Sequence, residues 1–166
     1  MKTYTTSMSN TVGMLASATL AIGVVAIAIV TMRVSATPIA AYLGMVMLLI
    51  LGIAFVVSTR SYEIGDGKLV IRQQVGSKTY ELRGASVVQD AQAFRGLVRI
   101  FGNGGFFAFD GLYYSSRLGL VRSYARNRSH GVVVHLAGGR KLVLSPDQPE
   151  AFVAAAVAQG AVVSSP

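Results

Sequence analysis

Two apolar stretches decide the predicted fold of this chain: VGMLASATLAIGVVAIAIVTM at residues 12–32 and IAAYLGMVMLLILGIAFVV at residues 39–57. Neither contains a charged residue, and the short break between them holds one arginine, Arg33, and Pro38. At about 1.5 Å per residue, each stretch is long enough to cross the ~30 Å hydrocarbon layer of a bilayer. Because a buried helix of a water-soluble protein rarely stays apolar on every face, the pattern predicts a two-helix transmembrane hairpin over residues 12–57.

The lysines and arginines near these stretches predict how the hairpin is oriented. Lys2 precedes the first span, Arg60 and Lys68 follow the second, and the connecting loop holds only Arg33. Such residues concentrate on the cytoplasmic side of membrane spans. The bias therefore predicts a multi-pass protein of the cell (inner) membrane with both termini in the cytoplasm. A signal peptide cleaved after Ala36 is the alternative, but its apolar region is longer than the ~7–15 residues of a signal.

The chain beyond residue 58 has a different composition. It holds 13 of the 15 Lys and Arg residues and all seven acidic residues, so it is basic overall. A basic domain favours anionic partners, either nucleic acid or a negatively charged membrane surface, and the adjacent apolar stretches favour the lipid bilayer. Cysteine is absent, which excludes a disulfide framework and a thiolate zinc site.

Residues 60–159 predict a small, mainly-β domain of about seven short strands. Turn signals separate the runs of strand-forming residues, most clearly at Gly65-Asp66-Gly67 and at Gly138-Gly139. Strands of this number and length are typical of a small barrel or sandwich. Residues 1–11 and 160–166 are predicted to be tails outside the domain.

One helix is predicted at the end of this domain, over residues 147–159. Asp147 can cap its N-terminus, Glu150 can complete a capping box, and Pro149 is suited to the first turn. An apolar stripe runs along the helix, and a helix with one apolar face can close the open end of a small barrel or sandwich.

Three segments carry a resemblance to a known family. They are YEIGDGKLVI at residues 62–71, RIFGNGGFFAF at residues 99–109, and GRKLVLSPDQPEAF at residues 139–152. Together with the order of strands and terminal helix, they resemble the bacterial pleckstrin-homology-like (PH-like) domains, over residues 60–159. The resemblance implies a PH-like fold and a binding or assembly role without known enzymatic activity. The basic phosphoinositide motif of eukaryotic relatives is not recognisable, so no headgroup specificity is implied.

The densest group of basic residues is the candidate site for anionic lipid or a partner. Arg122 and Arg126 lie on the same face of a predicted strand with Tyr124 between them. Facing a bilayer, each arginine would add about 1 kcal/mol of attraction to anionic lipid. A solvent-exposed basic strand is the alternative, and nucleic-acid binding is disfavoured because no reading helix or stacking motif accompanies these residues. The candidate residues are Arg117, Arg122, Arg126 and Arg128.

No other pattern predicts catalysis, a metal site or a cofactor. The segment Gly102-Asn103-Gly104-Gly105 could line an anion with backbone N–H groups, but it lacks the ending of a P-loop and favours a turn. His130 and His135 are the only histidines, and a metal needs three or four converging ligands. Asp110 precedes a glycine, a context typical of turns. The sequence predicts no enzyme.

These observations lead to one functional hypothesis and two alternatives. The sequence predicts a non-catalytic, membrane-anchored binding or assembly module. Its PH-like domain would lie at the cytoplasmic face of the membrane and bind a partner protein or anionic lipid headgroups. The alternatives are an accessory subunit of a larger membrane complex, assembled through the helices, and a membrane-bound enzyme of an unrecognised type.

Overall fold

A computed structural model of the protein contains two β-sheets and the helices around them. Its described residues are 1–7, 18, 21–27, 29–30, 33, 38–104, 107–129 and 131–164, with the backbone alone at 38–41. The helices are α1 (Pro38–Val56) and α2 (Pro149–Ala158), and residues 21–27 and 29–30 are also helical. The strands are β1 (Lys2–Thr5), β2 (Thr59–Gly65), β3 (Lys68–Gln73), β4 (Ser77–Glu81), β5 (Ser86–Gln89), β6 (Val98–Gly102), β7 (Phe109–Ser115), β8 (Gly119–Ala125), β9 (Val132–His135), β10 (Lys141–Leu144) and β11 (Val162–Val163).

The predicted fold of a transmembrane hairpin plus a seven-stranded domain is wrong. Within the described residues, no helix has both the length and the apolarity needed to cross a membrane. Much of the first predicted span, including residues 12–17, lies outside the described residues. The predicted location, a multi-pass protein of the inner membrane with cytoplasmic termini, is corrected by the same finding. Hydropathy predicted a helix in the second stretch, which α1 confirms, but an apolar run does not by itself specify what surrounds the helix.

Helix α1 joins the first sheet through a short, hydrogen-bonded exit. The Ser58 hydroxyl donates to the Phe55 carbonyl at 2.7 Å, which satisfies one of the free carbonyls at the helix end. The Phe55 ring also packs edge-on against Phe107, with ring centroids 5.4 Å apart. Most large side chains described on α1 are exposed, while Leu51 is buried.

The first sheet has four antiparallel strands in the order β1-β2-β3-β4. Strand β1 comes from the predicted N-terminal tail, and it pairs with β2 in the register Lys2↔Ile64. The predicted turn between β2 and β3 is confirmed, because Asp66 and Gly67 have φ angles of 55° and 69°. Two consecutive residues with positive φ match the right-handed twist of a tight hairpin.

The second sheet has seven strands in the order β11-β5-β9-β10-β8-β7-β6. The pairs β10–β8 and β11–β5 are parallel and the others are antiparallel. The predicted Gly138-Gly139 hairpin is confirmed by the antiparallel β9–β10 pair. Strand β11 forms within the predicted C-terminal tail. With the four strands of the first sheet, the structure therefore has more strands than the predicted seven, and two of its strand pairs are parallel.

The main hydrophobic core lies between the two sheets and α2. Phe152 of α2 is fully buried there, and its ring contacts the rings of Tyr4 and Tyr62 at centroid distances of 5.4 and 5.8 Å. The predicted cap of this helix is wrong: the N-cap residue is Gln148, which makes no side-chain cap. Asp147 instead accepts hydrogen bonds from the backbone N–H and hydroxyl of Ser7, so it fastens the segment after β1.

Candidate functional site

A groove opens where the edge strand of the first sheet passes over the second sheet. Its cavity volume is about 240 Å³. It lies between β4 on one side and β7, β8 and β10 on the other. Its floor is apolar and its rim is cationic. The side chains used below are the rim residues Arg122 and Arg140, the floor residues Leu112, Leu120 and Leu142, and Tyr80 on the β4 side.

Strand alternation and sheet register place these side chains together. On β4, Tyr80 is buried opposite Leu69, while its neighbours along the strand are exposed. On the second sheet, Arg122 pairs with Leu112 on one side and with Leu142 on the other. Leu112, Arg122 and Leu142 form a row across the second sheet. Because β4 is the last strand of the first sheet, that sheet covers the row only as far as Tyr80. The row is therefore open to ligands at the edge of β4.

Two tyrosines meet beneath the cations of the groove. The hydroxyls of Tyr80 and Tyr124 are hydrogen-bonded at 2.8 Å. Burial raises the pKa of Tyr124, so its hydroxyl stays protonated at physiological pH. Lys78 Nζ lies 5.5 Å from the centre of the Tyr124 ring, and Arg140 Cζ lies 5.8 Å from that of Tyr80. Both distances are within the range of cation–π attraction, which holds the two cations beside the tyrosine pair.

The groove is positively charged. Lys141 Nζ donates to the Leu118 carbonyl at 2.7 Å, on the opposite face of the sheet. Arg122 is charged at every physiological pH, because a guanidinium group is not deprotonated in proteins. Among the residues the structure describes, the groove lining includes no acidic side chain. The arrangement can attract an anion and offer it several N–H donors.

The structure separates the four arginines that the sequence grouped. Of these four, Arg122 alone lines the groove described here. Arg117 pairs with Asp90 and also donates to a backbone carbonyl. Arg128 lies over the Phe109 ring, with Cζ 4.6 Å from the ring centre, and the charge of Arg126 acts on a buried carboxyl described below. Lipid or partner contact by this cluster stays a prediction.

Sequence analysis missed the residues that complete the groove. Tyr80 and Lys78 lie two residues apart on β4, and Arg140 is next to Lys141 after the Gly138-Gly139 turn. A basic pair beside a hairpin turn was a visible signal. The approach of β4 to this basic pair could not be predicted, because about 60 residues separate β4 from β10 and no sequence spacing links them.

Asp110 forms a second polar site, buried and fully bonded. It lies inside β7 rather than in the predicted turn, and 4% of its surface is exposed. Its carboxylate accepts hydrogen bonds from the Thr59 backbone N–H at 2.5 Å, the Thr59 hydroxyl at 2.9 Å and the Ala125 N–H at 3.1 Å. Burial raises the pKa of Asp110 to about 7, against the lowering effect of these bonds and of Arg126. The site ties the start of β2 to the second sheet.

His135 does not form a metal site with other described residues. His130 lies outside the described residues, and His135 is half-buried on β9. Burial lowers the pKa of His135, which favours its neutral form. Across the described part of the chain, no three His, Cys, Asp or Glu residues cluster closely enough to hold a metal ion.

Comparison with known proteins identifies the domain. A family model described as "Bacterial PH domain" matches residues 60–159, which is 100 of the 166 residues. No curated protein and no solved structure matches the chain significantly. The matched range runs from the second residue of β2 to the residue after α2, and it includes both walls of the groove. The chain belongs to the bacterial PH domain family.

Proposed function

We propose that the protein is a non-catalytic binding module that holds an anionic group in the groove beside β4. The chemistry is that of a phosphate, either free or carried by a lipid headgroup. The observation that carries the proposal is the lining itself: Arg122 and Arg140 lie beside one cavity whose lining has no described acidic side chain. Membership of a PH domain family supports a binding role for this domain.

The cations of the groove carry charge that no described carboxylate neutralises. The three ion pairs found among the described residues join Lys68 to Glu81, Arg72 to Glu63, and Arg117 to Asp90. None of the groove cations takes part in them. A cation already paired with a carboxylate has less attraction left for a ligand, so the groove cations keep their attraction for an anion.

The side chains of the groove have complementary roles toward an anion. The planar guanidinium groups of Arg122 and Arg140 can each donate two parallel hydrogen bonds to a phosphate. Lys141 is adjacent to Leu142 on β10, and strand alternation turns its side chain to the opposite face of the sheet, where its ammonium donates to the Leu118 carbonyl. One hydroxyl of the tyrosine pair donates to the other, so the pair has one further proton to donate and adds no negative charge. None of these steps makes or breaks a covalent bond.

The test uses the full chain and two double variants of equal charge. The probes are inorganic phosphate, vesicles of phosphatidylcholine, and the same vesicles containing phosphatidylglycerol. Arg122→Gln with Arg140→Gln removes two groove cations. Arg83→Gln with Arg95→Gln removes two exposed cations elsewhere on the surface and serves as the matched control.

We expect binding to inorganic phosphate and to the vesicles that contain phosphatidylglycerol, but not to phosphatidylcholine alone, and this binding should weaken as salt screens the charges. At about 1 kcal/mol per cation, the groove variant should lose roughly 30-fold in affinity, and the control no more than about threefold. Binding of phosphate alone would identify a soluble ligand, and binding of anionic vesicles alone would identify a headgroup in a lipid surface. Equal losses in both variants, or no binding to inorganic phosphate or to the phosphatidylglycerol vesicles, would overturn the proposal.

A further inference from the structure

An apolar strip continues from the groove along the second sheet. It consists of Leu120, Tyr114 and Val98, which stand directly opposite one another on β8, β7 and β6. Their exposed fractions are 55%, 51% and 66%. Neighbouring strands lie about 4.8 Å apart, so the strip is about 10 Å long across the three strands. It is a continuous row rather than three scattered apolar residues.

The strip and the groove share one face of the sheet. Leu120 belongs to both, because it lines the cavity and begins the strip. Leu112 and Tyr114 are two residues apart on β7, so their side chains point to the same side. The cationic rim at Arg122 is likewise two residues from Leu120. A ligand anchored by its anion at Arg122 would therefore meet apolar surface in the direction of Val98.

We infer that the ligand of the groove is an anionic amphiphile, with a phosphate bound at the cations and an apolar chain lying along Leu120, Tyr114 and Val98. This inference rests on the proposed function, because the cations position the head of the molecule. Single exposed apolar residues are ordinary on protein surfaces, but a continuous apolar row beside a charged cavity is complementary to a molecule with both characters. A free phosphate would leave the strip uncovered.

The experiment measures how affinity depends on chain length. Ethyl, butyl, hexyl and octyl phosphate are titrated into the full chain by calorimetry, each below its micelle-forming concentration. Burying one methylene group can strengthen binding up to about fourfold, so affinity should rise steadily along the series. The double variant Val98→Ser with Tyr114→Ser should flatten this rise while leaving ethyl phosphate affinity unchanged.

The matched control replaces two exposed apolar residues on another edge of the sheet, Val162→Ser with Val163→Ser. It should leave the chain-length dependence unchanged. If ethyl phosphate binds but longer chains bind no more tightly, the inference fails and the proposed function stands. If no alkyl phosphate binds, both fail. A control variant that flattens the series as much as the strip variant would show non-specific adsorption and would also overturn the inference.

Discussion

Two neighbouring pairs of residues on strands β7 and β8 place their polar groups in opposite environments, one buried and one exposed. In one pair, Asp110 stands opposite Tyr124; in the next, Leu112 stands opposite Arg122. The first pair is covered by the start of β2, and the Asp110 carboxylate is surrounded by donors from the same chain. The second pair lies at the edge of β4, and its cation has no carboxylate partner among the described residues. Where the cover is complete a polar group stabilises the fold through its hydrogen bonds, and where the cover ends a charge remains for a ligand.

Removing the carboxyl of Asp110 should produce the largest effect. In Asp110→Ala, the N–H groups of Thr59 and Ala125 and the Thr59 hydroxyl lose their acceptor in a buried site. Each unsatisfied buried group costs roughly 1–3 kcal/mol, so we expect a loss of about 4 kcal/mol in the free energy of unfolding. Urea denaturation measures it. A loss below 1 kcal/mol would mean that Asp110 does not fasten the two sheets.

The stability of the protein should depend on pH through the ionisation of Asp110. The pKa of Asp110 is raised to about 7 in the folded state, so between about pH 4 and pH 7 the folded chain keeps a proton that the unfolded chain releases. Its contribution to stability is therefore complete below about pH 4 and is lost as pH rises through 7. The expected fall is about 1 kcal/mol per pH unit.

The control for this pH dependence is Asp110→Asn, which keeps an acceptor oxygen but does not titrate. Its stability should lack the fall seen in the parent chain over the same pH window. His135 has the opposite effect on the pH dependence of stability. Burial lowers its pKa in the folded state, so its contribution to the free energy of unfolding increases as pH rises. The difference between the two pH profiles therefore isolates Asp110. Identical profiles would contradict the assignment.

Tyr80→Phe tests how much the Tyr80–Tyr124 hydrogen bond contributes to stability at the edge of β4. The change removes one partner of the Tyr80–Tyr124 hydrogen bond while keeping the ring in place. A typical net value for such a bond is about 1 kcal/mol, and we expect a loss of that size by thermal or urea unfolding. Tyr114→Phe, which removes an exposed hydroxyl, serves as the control and should change stability little. Equal losses in both variants would show that the buried pair adds nothing.

Arg122→Gln should have the smallest effect on stability and so complete the contrast with Asp110. An exposed cation without a carboxylate partner contributes little to folding, so the change should stay within about 0.5 kcal/mol. The same unfolding measurement on Arg117→Gln provides a comparison, since that arginine is paired with Asp90. A loss above 1 kcal/mol for Arg122→Gln would mean that the groove cation is structural.

Local features of the structure could be predicted from the sequence, and distant pairings could not. The turn at Asp66-Gly67, the β9–β10 hairpin and the terminal helix all depend on residues close in the chain. Strand β1 could not be predicted, because its four residues become a strand only by pairing with β2. The groove was missed for the same reason, since it depends on the register of strands far apart in sequence.

The apolar stretches show a different limit. Their composition correctly predicted the helix at α1, because the uninterrupted apolar residues and the leading proline both favour one. The same composition gave a wrong fold and location, because side-chain hydropathy describes what a helix can contact and not what it does contact. Asp110 was misplaced for the opposite reason: a neighbouring glycine is typical of a turn, yet Gly111 here lies within a strand.

The pairing of β1 with β2 has a consequence for how the chain folds. Thr5 and Ser61 are partners in the sheet, although 56 positions separate them in sequence. Closing a loop of that length carries an entropic cost that local hairpins such as β2–β3 avoid. Proteins with many such distant contacts fold slowly. The first sheet should therefore assemble from β2, β3 and β4, with β1 joining last, and its amide protons should be the latest of the four strands to gain protection from hydrogen exchange during refolding.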